Sequence, residues 1–133
     1  MQCGRVNDTL KCWLAWKERG DEGWESLVDT YIEIADYCEM RVNEHPKLEM
    51  MSRRKFANIC MRYNPGTSQD LNALNVEIRR QLQSSGKFMI SRSNIYDDVV
   101  LRPVTSGPDI TKEIMDELLN EIVAIGDSLT TTK

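Results

Sequence analysis

Apolar residues recur with a helical period at both ends of this chain and in near-alternation in parts of its middle, so the pattern alone divides it into elements. Leu10, Trp13 and Leu14, with Lys17 one turn on, predict a helix from about Asn7 to Arg19, capped by Asn7 or Asp8 and ended by Gly20. Trp24, Leu27, Val28, Tyr31, Ile34, Ala35, Cys38 and Val42 follow at spacings of three and four, which gives a longer helix opening near Gly23 with one apolar face. It stops before Pro46, which has no amide hydrogen to donate and disfavours helical geometry in the residue before it.

Beyond Pro46 the period changes. Lys47 to Ser52 and Phe56 to Tyr63 place Met50, Phe56, Ile59, Met61 and Tyr63 in partial alternation and predict two strands, separated by Arg53-Arg54-Lys55 and bounded by Asn64-Pro65-Gly66. A helix starting at Ser68 or Asp70 carries Leu71, Leu74, Ile78 and Leu82 on one side and closes at Ser84-Ser85-Gly86. Lys87 to Ser91 and Asp98 to Thr105 then predict an antiparallel hairpin, with Asn94 to Asp97 as its loop. The final helix has Thr111 as N-cap and Ile110 packed on Met115 as a hydrophobic staple. Ile114, Leu118, Leu119, Ile122 and Ile125 form its core face up to Gly126, and the stretch from Asp127 to Lys133 is expected to fray.

Helix, helix, strand, strand, helix, strand, strand, helix is an α+β order, best satisfied by an antiparallel sheet covered by helices on one face. The first helix fits this scheme badly. Trp13, Leu14 and Trp16 make it apolar around more of its circumference than a surface helix needs, which asks for a partner.

Composition narrows the function. The chain has 133 residues, 41% hydrophobic and 29% charged, which suits one compact domain with a real core. A net charge of −4 gives no broad positive field, so nucleic acid is a poor partner. No apolar run approaches the roughly 20 residues of a membrane span and no secretion signal opens the chain, so a cytoplasmic location is expected. Cys3, Cys12, Cys38 and Cys60 are too widely spaced for a CxxC pair and are read as reduced thiols; with His45 as the lone histidine, no metal site is expected.

Catalytic motifs are missing: there is no Gly-rich phosphate loop, HExxH or nucleophile elbow. His45 beside Pro46 is read as an imidazole near a helix C-terminus. Arg53-Arg54-Lys55 is read as a solvated turn. The tryptophans and Met50, Met51, Met61 and Met89 are read as packing residues. Arg102 stands out because it interrupts Val99-Val100-Leu101 and precedes Pro103, at the end of a predicted strand. On pattern alone it is an arginine on the solvent side of a half-buried strand, though a guanidinium there is also able to grip a carboxylate through paired hydrogen bonds.

The run CGRVNDTLKCWLAWKERG, with Cys3-Gly4-Arg5, Asp8, Lys11 and Trp13, resembles the CGRxxDxxKxW segment of the group II pyridoxal-phosphate-dependent decarboxylases, which act on glutamate, cysteine sulfinate and aromatic amino acids. The resemblance continues through Gly23-Trp24, the Cys60 to Pro65 run CMRYNP, Leu101-Arg102 and the segment from Gly107-Pro108 to Gly126. It implies the small C-terminal domain of the aspartate-aminotransferase-like fold, preceded by the last helix of the large domain: residues 1–20 ending the large domain, 21–126 forming the small one and 127–133 a tail. It implies pyridoxal phosphate, held by the upstream large domain, with no catalytic, cofactor-binding or metal residue in this chain. Lys11 matches a motif lysine, not the one that binds the cofactor. Arg102 matches an arginine that holds a substrate carboxylate. Asn7, at a place usually apolar, and Pro103 depart from the family pattern. The CGR form is closer to the branch that acts on acidic amino acids. The expected protein is thus part of a homodimeric decarboxylase, inactive alone; an independent small α+β binding or regulatory module, or an inactive relic, is the alternative.

Overall fold

The structure is a computed structural model in which residues 7–66, 70–107 and 109–131 are described. Ser68, one of two expected caps, and Cys3-Gly4-Arg5 lie outside the described residues. The chain divides into two compact units between Thr30 and Tyr31.

Helix α1 is Asp8–Glu44, broken at Gly20, whose φ of 69° and ψ of 179° are not helical. Only glycine adopts that geometry without strain, which is why the two predicted helices meet there. In the first unit, the Asn7 side chain accepts the Leu10 amide at 3.0 Å. The departure at Asn7 therefore has a local use as the N-cap. Leu10, Trp13, Leu14 and Trp16 are each about half exposed. Trp16 stacks on Trp24 with ring centroids 5.6 Å apart and donates its indole N–H to Asp21 at 2.7 Å.

In the second unit, Ile34, Ala35, Cys38 and Val42 of α1 turn inward. Strands β1 (Leu48–Met50) and β2 (Met61–Tyr63), helix α2 (Leu71–Ser84), strands β3 (Ser91–Ile95) and β4 (Asp98–Arg102) and helix α3 (Lys112–Thr131) follow. The sheet order is β1-β2-β4-β3, antiparallel throughout, with Leu48 opposite Tyr63 and Met61 opposite Leu101. The fold is α+β, with helices packed on one face of a four-stranded antiparallel sheet. Met61, Tyr63 and Leu101 meet Leu74, Ile78 and Leu82 of α2 and Met115, Leu118, Leu119 and Ile122 of α3 in a single core.

Asp70 caps α2 by accepting the amides of Asn72 and Ala73. One polar side chain belongs to this core. Asn75, fully buried, accepts the Tyr63 amide at 2.8 Å and donates to the carbonyls of Tyr63 at 2.9 Å and Leu71 at 2.8 Å, tying α2 to β2.

Four expectations are corrected. The strand expected over Phe56–Tyr63 is confined to Met61–Tyr63, because Phe56 takes a φ of 54° in a turn where Lys55 and Asn58 bridge. The first strand of the hairpin is Ser91–Ile95, not Lys87–Ser91; Tyr96, at φ 53°, and Asp97 make the turn. On α3, Met115 takes the core position expected of Ile114, which is partly exposed. Helix α3 also runs past Gly126 to Thr131 instead of fraying from Asp127. Asp127 has partners that hold it there: Lys47 donates to it at 2.7 Å, and so does the Tyr63 hydroxyl.

Candidate functional site

Alternation along β4 decides what its side chains face. Leu101 points to α2 and α3 and is fully buried, so Arg102 points to the other face and is exposed. That second face is polar near the middle of the sheet. Arg62 of β2 donates to Glu49 of β1 at 2.9 Å and to Asp98 of β4 at 3.1 Å, and Asn64 adds a bond to Glu49 at 3.0 Å. The Asn64 bond and then the Arg62 guanidinium hold the Glu49 carboxyl below its ordinary value. Arg62 is thus neutralised on both sides.

Arg102 has no ion-pair or side-chain hydrogen-bond partner among the described residues. It lines two hollows. One, about 310 Å³, is walled largely by apolar side chains, Phe88, Ile90, Val104, Ile110 and Leu118 among them. The other, about 480 Å³, is walled by Arg53, Lys55, Arg102, Ser52 and Asn58, with Cys60 and Ile95 between them. Local folding brings these together. The turn through Phe56 folds the chain back, Asn58 bridges to Val104, and the Ile59 amide donates to the Pro103 carbonyl at 3.3 Å. Pro103 is buried and lacks the amide that would extend the ladder, so β4 ends with Arg102 at its rim.

The basic run is therefore not uniform. Arg54 is largely buried and donates to Glu39 at 2.9 Å, to Asp36 and to the Phe56 carbonyl. Arg53 and Lys55 on either side remain exposed and have no side-chain partner among the described residues. Reading the run as a solvated turn missed this division, because the acceptors Asp36 and Glu39 belong to a distant helix. His45 accepts the Lys47 amide through Nδ1 at 3.2 Å and lines neither hollow. Cys12, Cys38 and Cys60 are free, and burial pushes the Cys38 thiol up to about 12.

The residues do not make a pyridoxal-phosphate site by themselves. Lys55, which lines the second hollow, is exposed, the first hollow has no lysine, and no carboxylate lines either to face a pyridine nitrogen. Among the described residues, no helix is long and apolar enough to cross a membrane, and no group of three or more His, Cys, Asp or Glu side chains is placed to hold a metal ion.

Comparison with known proteins shows what this chain is similar to. The pyridoxal-dependent decarboxylase conserved domain matches residues 1–64. Cysteine sulfinic acid decarboxylases of Mus musculus and Homo sapiens are each 28% identical over 97% of this chain. The chain spans 28% of the length of each. The crystal structure of mouse CSAD in apo form superposes with a TM-score of 0.84 at 26% identity, covering 94% of this chain and 29% of that one. Oryza sativa TDC with PLP and tryptamine shares the fold, with a TM-score of 0.83 at 20% identity over 97% of this chain and 28% of that one.

These findings place the likeness with pyridoxal-dependent decarboxylases, of which this chain matches a part. More particularly, the chain is similar to a region of the pyridoxal-phosphate-dependent decarboxylases, and its α+β fold is the one those structures share.

Proposed function

We propose that this chain is the C-terminal part of a decarboxylase that removes the α-carboxylate of an acidic amino acid, such as glutamate, aspartate or cysteine sulfinate, and that Arg102 holds a substrate carboxylate. The observation that carries this reading is the guanidinium itself. It sits at the rim of the sheet, on the face turned from the helical core, beside a hollow with cationic walls, and no carboxylate among the described residues neutralises it. The identity with cysteine sulfinic acid decarboxylases, named for an acidic substrate, supports the same class. A planar fork of donors fixes a carboxylate in position as well as in orientation, and fixed geometry lowers the barrier of the reaction that follows.

Residues 1–20 form the end of the large domain in this reading, and residues 21–126 the small domain. The half-exposed Trp13, Leu14 and Trp16 are then covered in the whole enzyme by the large domain they belong to. That upstream domain binds the cofactor, which supplies the electron sink for loss of carbon dioxide. The chain alone is inactive, and the full-length enzyme is a cytoplasmic homodimer. The test is Arg102→Ala in the full-length enzyme. It lowers kcat/KM for an acidic amino acid by about tenfold to a hundredfold, the size of a lost charge-assisted hydrogen bond. Arg102→Lys restores part of the loss, since a point charge remains but the fork does not. Unchanged kinetics in the alanine variant remove Arg102 from the site.

A further inference from the structure

Three of the cationic side chains in the second unit line one hollow, and the pairing of their neighbours makes this meaningful. Arg62 and Arg54 are both largely withdrawn from solvent and are each satisfied by two carboxylates. Arg53, Lys55 and Arg102, by contrast, have no acidic partner among the described residues, in a chain whose acidic residues outnumber its basic ones, 21 to 17. Like charges gathered around one space repel, and the repulsion is relieved by an anion placed between them. Ser52 and Asn58 add neutral hydrogen-bonding groups, while Cys60 and Ile95 supply a less polar patch. The volume, about 480 Å³, is within the range of sites that take a small molecule.

We infer that this hollow is an anion subsite in which Arg53 and Lys55 select the side-chain acid of the substrate. The inference rests on the reading of Arg102 given above and adds two specificity-determining residues to it. The chemistry assigns them that part. The α-carboxylate leaves as neutral carbon dioxide, so extra cations gripping it stabilise the bound substrate more than the transition state and oppose its loss. Cations beyond Arg102 serve the charge that stays, which is the acid at the far end of the side chain. A neutral isostere in the same place leaves Arg53 and Lys55 without an anion between them, and the site discriminates against it for that reason.

The test compares kcat/KM for L-glutamate and for its neutral isostere L-glutamine in the full-length enzyme and three variants. Arg53→Ala/Lys55→Ala lowers the glutamate-to-glutamine ratio about tenfold, as expected for exposed charge-assisted bonds. Lys55→Arg in the Arg53 background keeps the ratio close to that of the parent enzyme, which loss of folding does not mimic. A second arm follows the arginine Nε–H signals of the 133-residue chain by NMR. Glutarate shifts those of Arg53 and Arg102, and glutaramide at the same concentration does not. A double variant with the parent ratio overturns the inference; if Arg102→Ala still loses activity, the Arg102 reading stands without it. A double variant that moves the ratio while Arg102→Ala changes nothing has the reverse meaning: the subsite stands and the role of Arg102 falls. Glutarate that leaves both arginine signals unmoved, in a chain whose other signals are those of a folded protein, also counts against the subsite.

Discussion

Gly126→Ala sets two effects of opposite sign against each other at one position, and the structure decides between them. Replacing glycine by alanine inside an exposed helix stabilises it by about 1 kcal/mol, because glycine loses more backbone freedom on folding. Gly126 lies inside α3, so helix propensity alone predicts a gain. A Cβ built there stands 2.7 Å from Cε1, Cε2 and Cζ of Tyr63, over the face of the ring. Ordinary carbon contacts need about 3.5 to 4.0 Å, so the ring and the helix must part by close to 1 Å. The ring has nowhere to go. It is fully buried, its hydroxyl donates to Asp127 one residue further along α3, and its backbone is held by Asn75. Overpacking of this kind costs about 1–3 kcal/mol, which exceeds the propensity gain over most of that range, so the net expectation is a loss of about 1 kcal/mol and at most about 2. Urea unfolding followed by circular dichroism reads it as a lower midpoint at unchanged slope. Tyr63→Leu removes the ring face, so in that background Gly126→Ala recovers its helix-propensity gain, and the double-mutant cycle isolates the clash. A Gly126→Ala protein as stable as the parent, or more so, refutes the close packing of α3 on β2.

Asn75→Leu leaves the Tyr63 amide and carbonyl buried without their side-chain partner and lowers unfolding stability by about 2–4 kcal/mol; a midpoint within experimental error of the parent in chemical denaturation contradicts the tie between α2 and β2. The Asp116 carboxyl is lowered chiefly by the Tyr37 hydroxyl and then by Arg41, and that of Asp127 by Lys47 and then Tyr63. Both groups titrate below their ordinary 3.8, so their stabilising share is complete above that value and is lost as pH falls through the lowered ones. Acid unfolding of Asp116→Asn/Asp127→Asn is accordingly less steep below about pH 4 than that of the parent, and identical acid profiles speak against the two networks. The isolated chain self-associates through Leu10, Trp13, Leu14 and Trp16, all about half exposed; a monodisperse monomer in light scattering at rising concentration contradicts this.

The helices were readable because each buries a stripe whose period survives any detail of packing. The long apolar face from Ile34 to Val42 and that of α2 from Leu74 to Leu82 are where the spacing put them. Strand β3 was not readable. As an edge strand it needs no alternating apolar face, and its sequence, Ser-Arg-Ser-Asn-Ile, has Ile95 as its one apolar member. Phe88 to Ile90 looked more strand-like for that reason, yet they serve the wall of the apolar hollow instead. Gly126 looked like a helix end because a terminating glycine and one that makes room for an aromatic ring are the same letter; the difference lies in Tyr63, far away in sequence.

The site shows the same division between local and non-local information. Arg102 was visible as a charge interrupting an apolar run. Arg53 and Lys55 were not distinguishable from Arg54, because their selection depends on which side of the turn Asp36 and Glu39 approach. What ties the site to the fold is register. Met61 opposite Leu101 buries Leu101 between the sheet and the helices, and alternation then leaves Arg102 no choice of face. A slip of one residue in β4 would bring the guanidinium into the core, where it would be without an acid partner, and put Leu101 beside Arg53 and Lys55. The penalty for burying an unpaired charge makes that arrangement inaccessible. The hydrophobic core and the orientation of Arg102 are therefore one constraint, so substitutions at Leu101 that weaken the register disturb the proposed site without touching any residue in it.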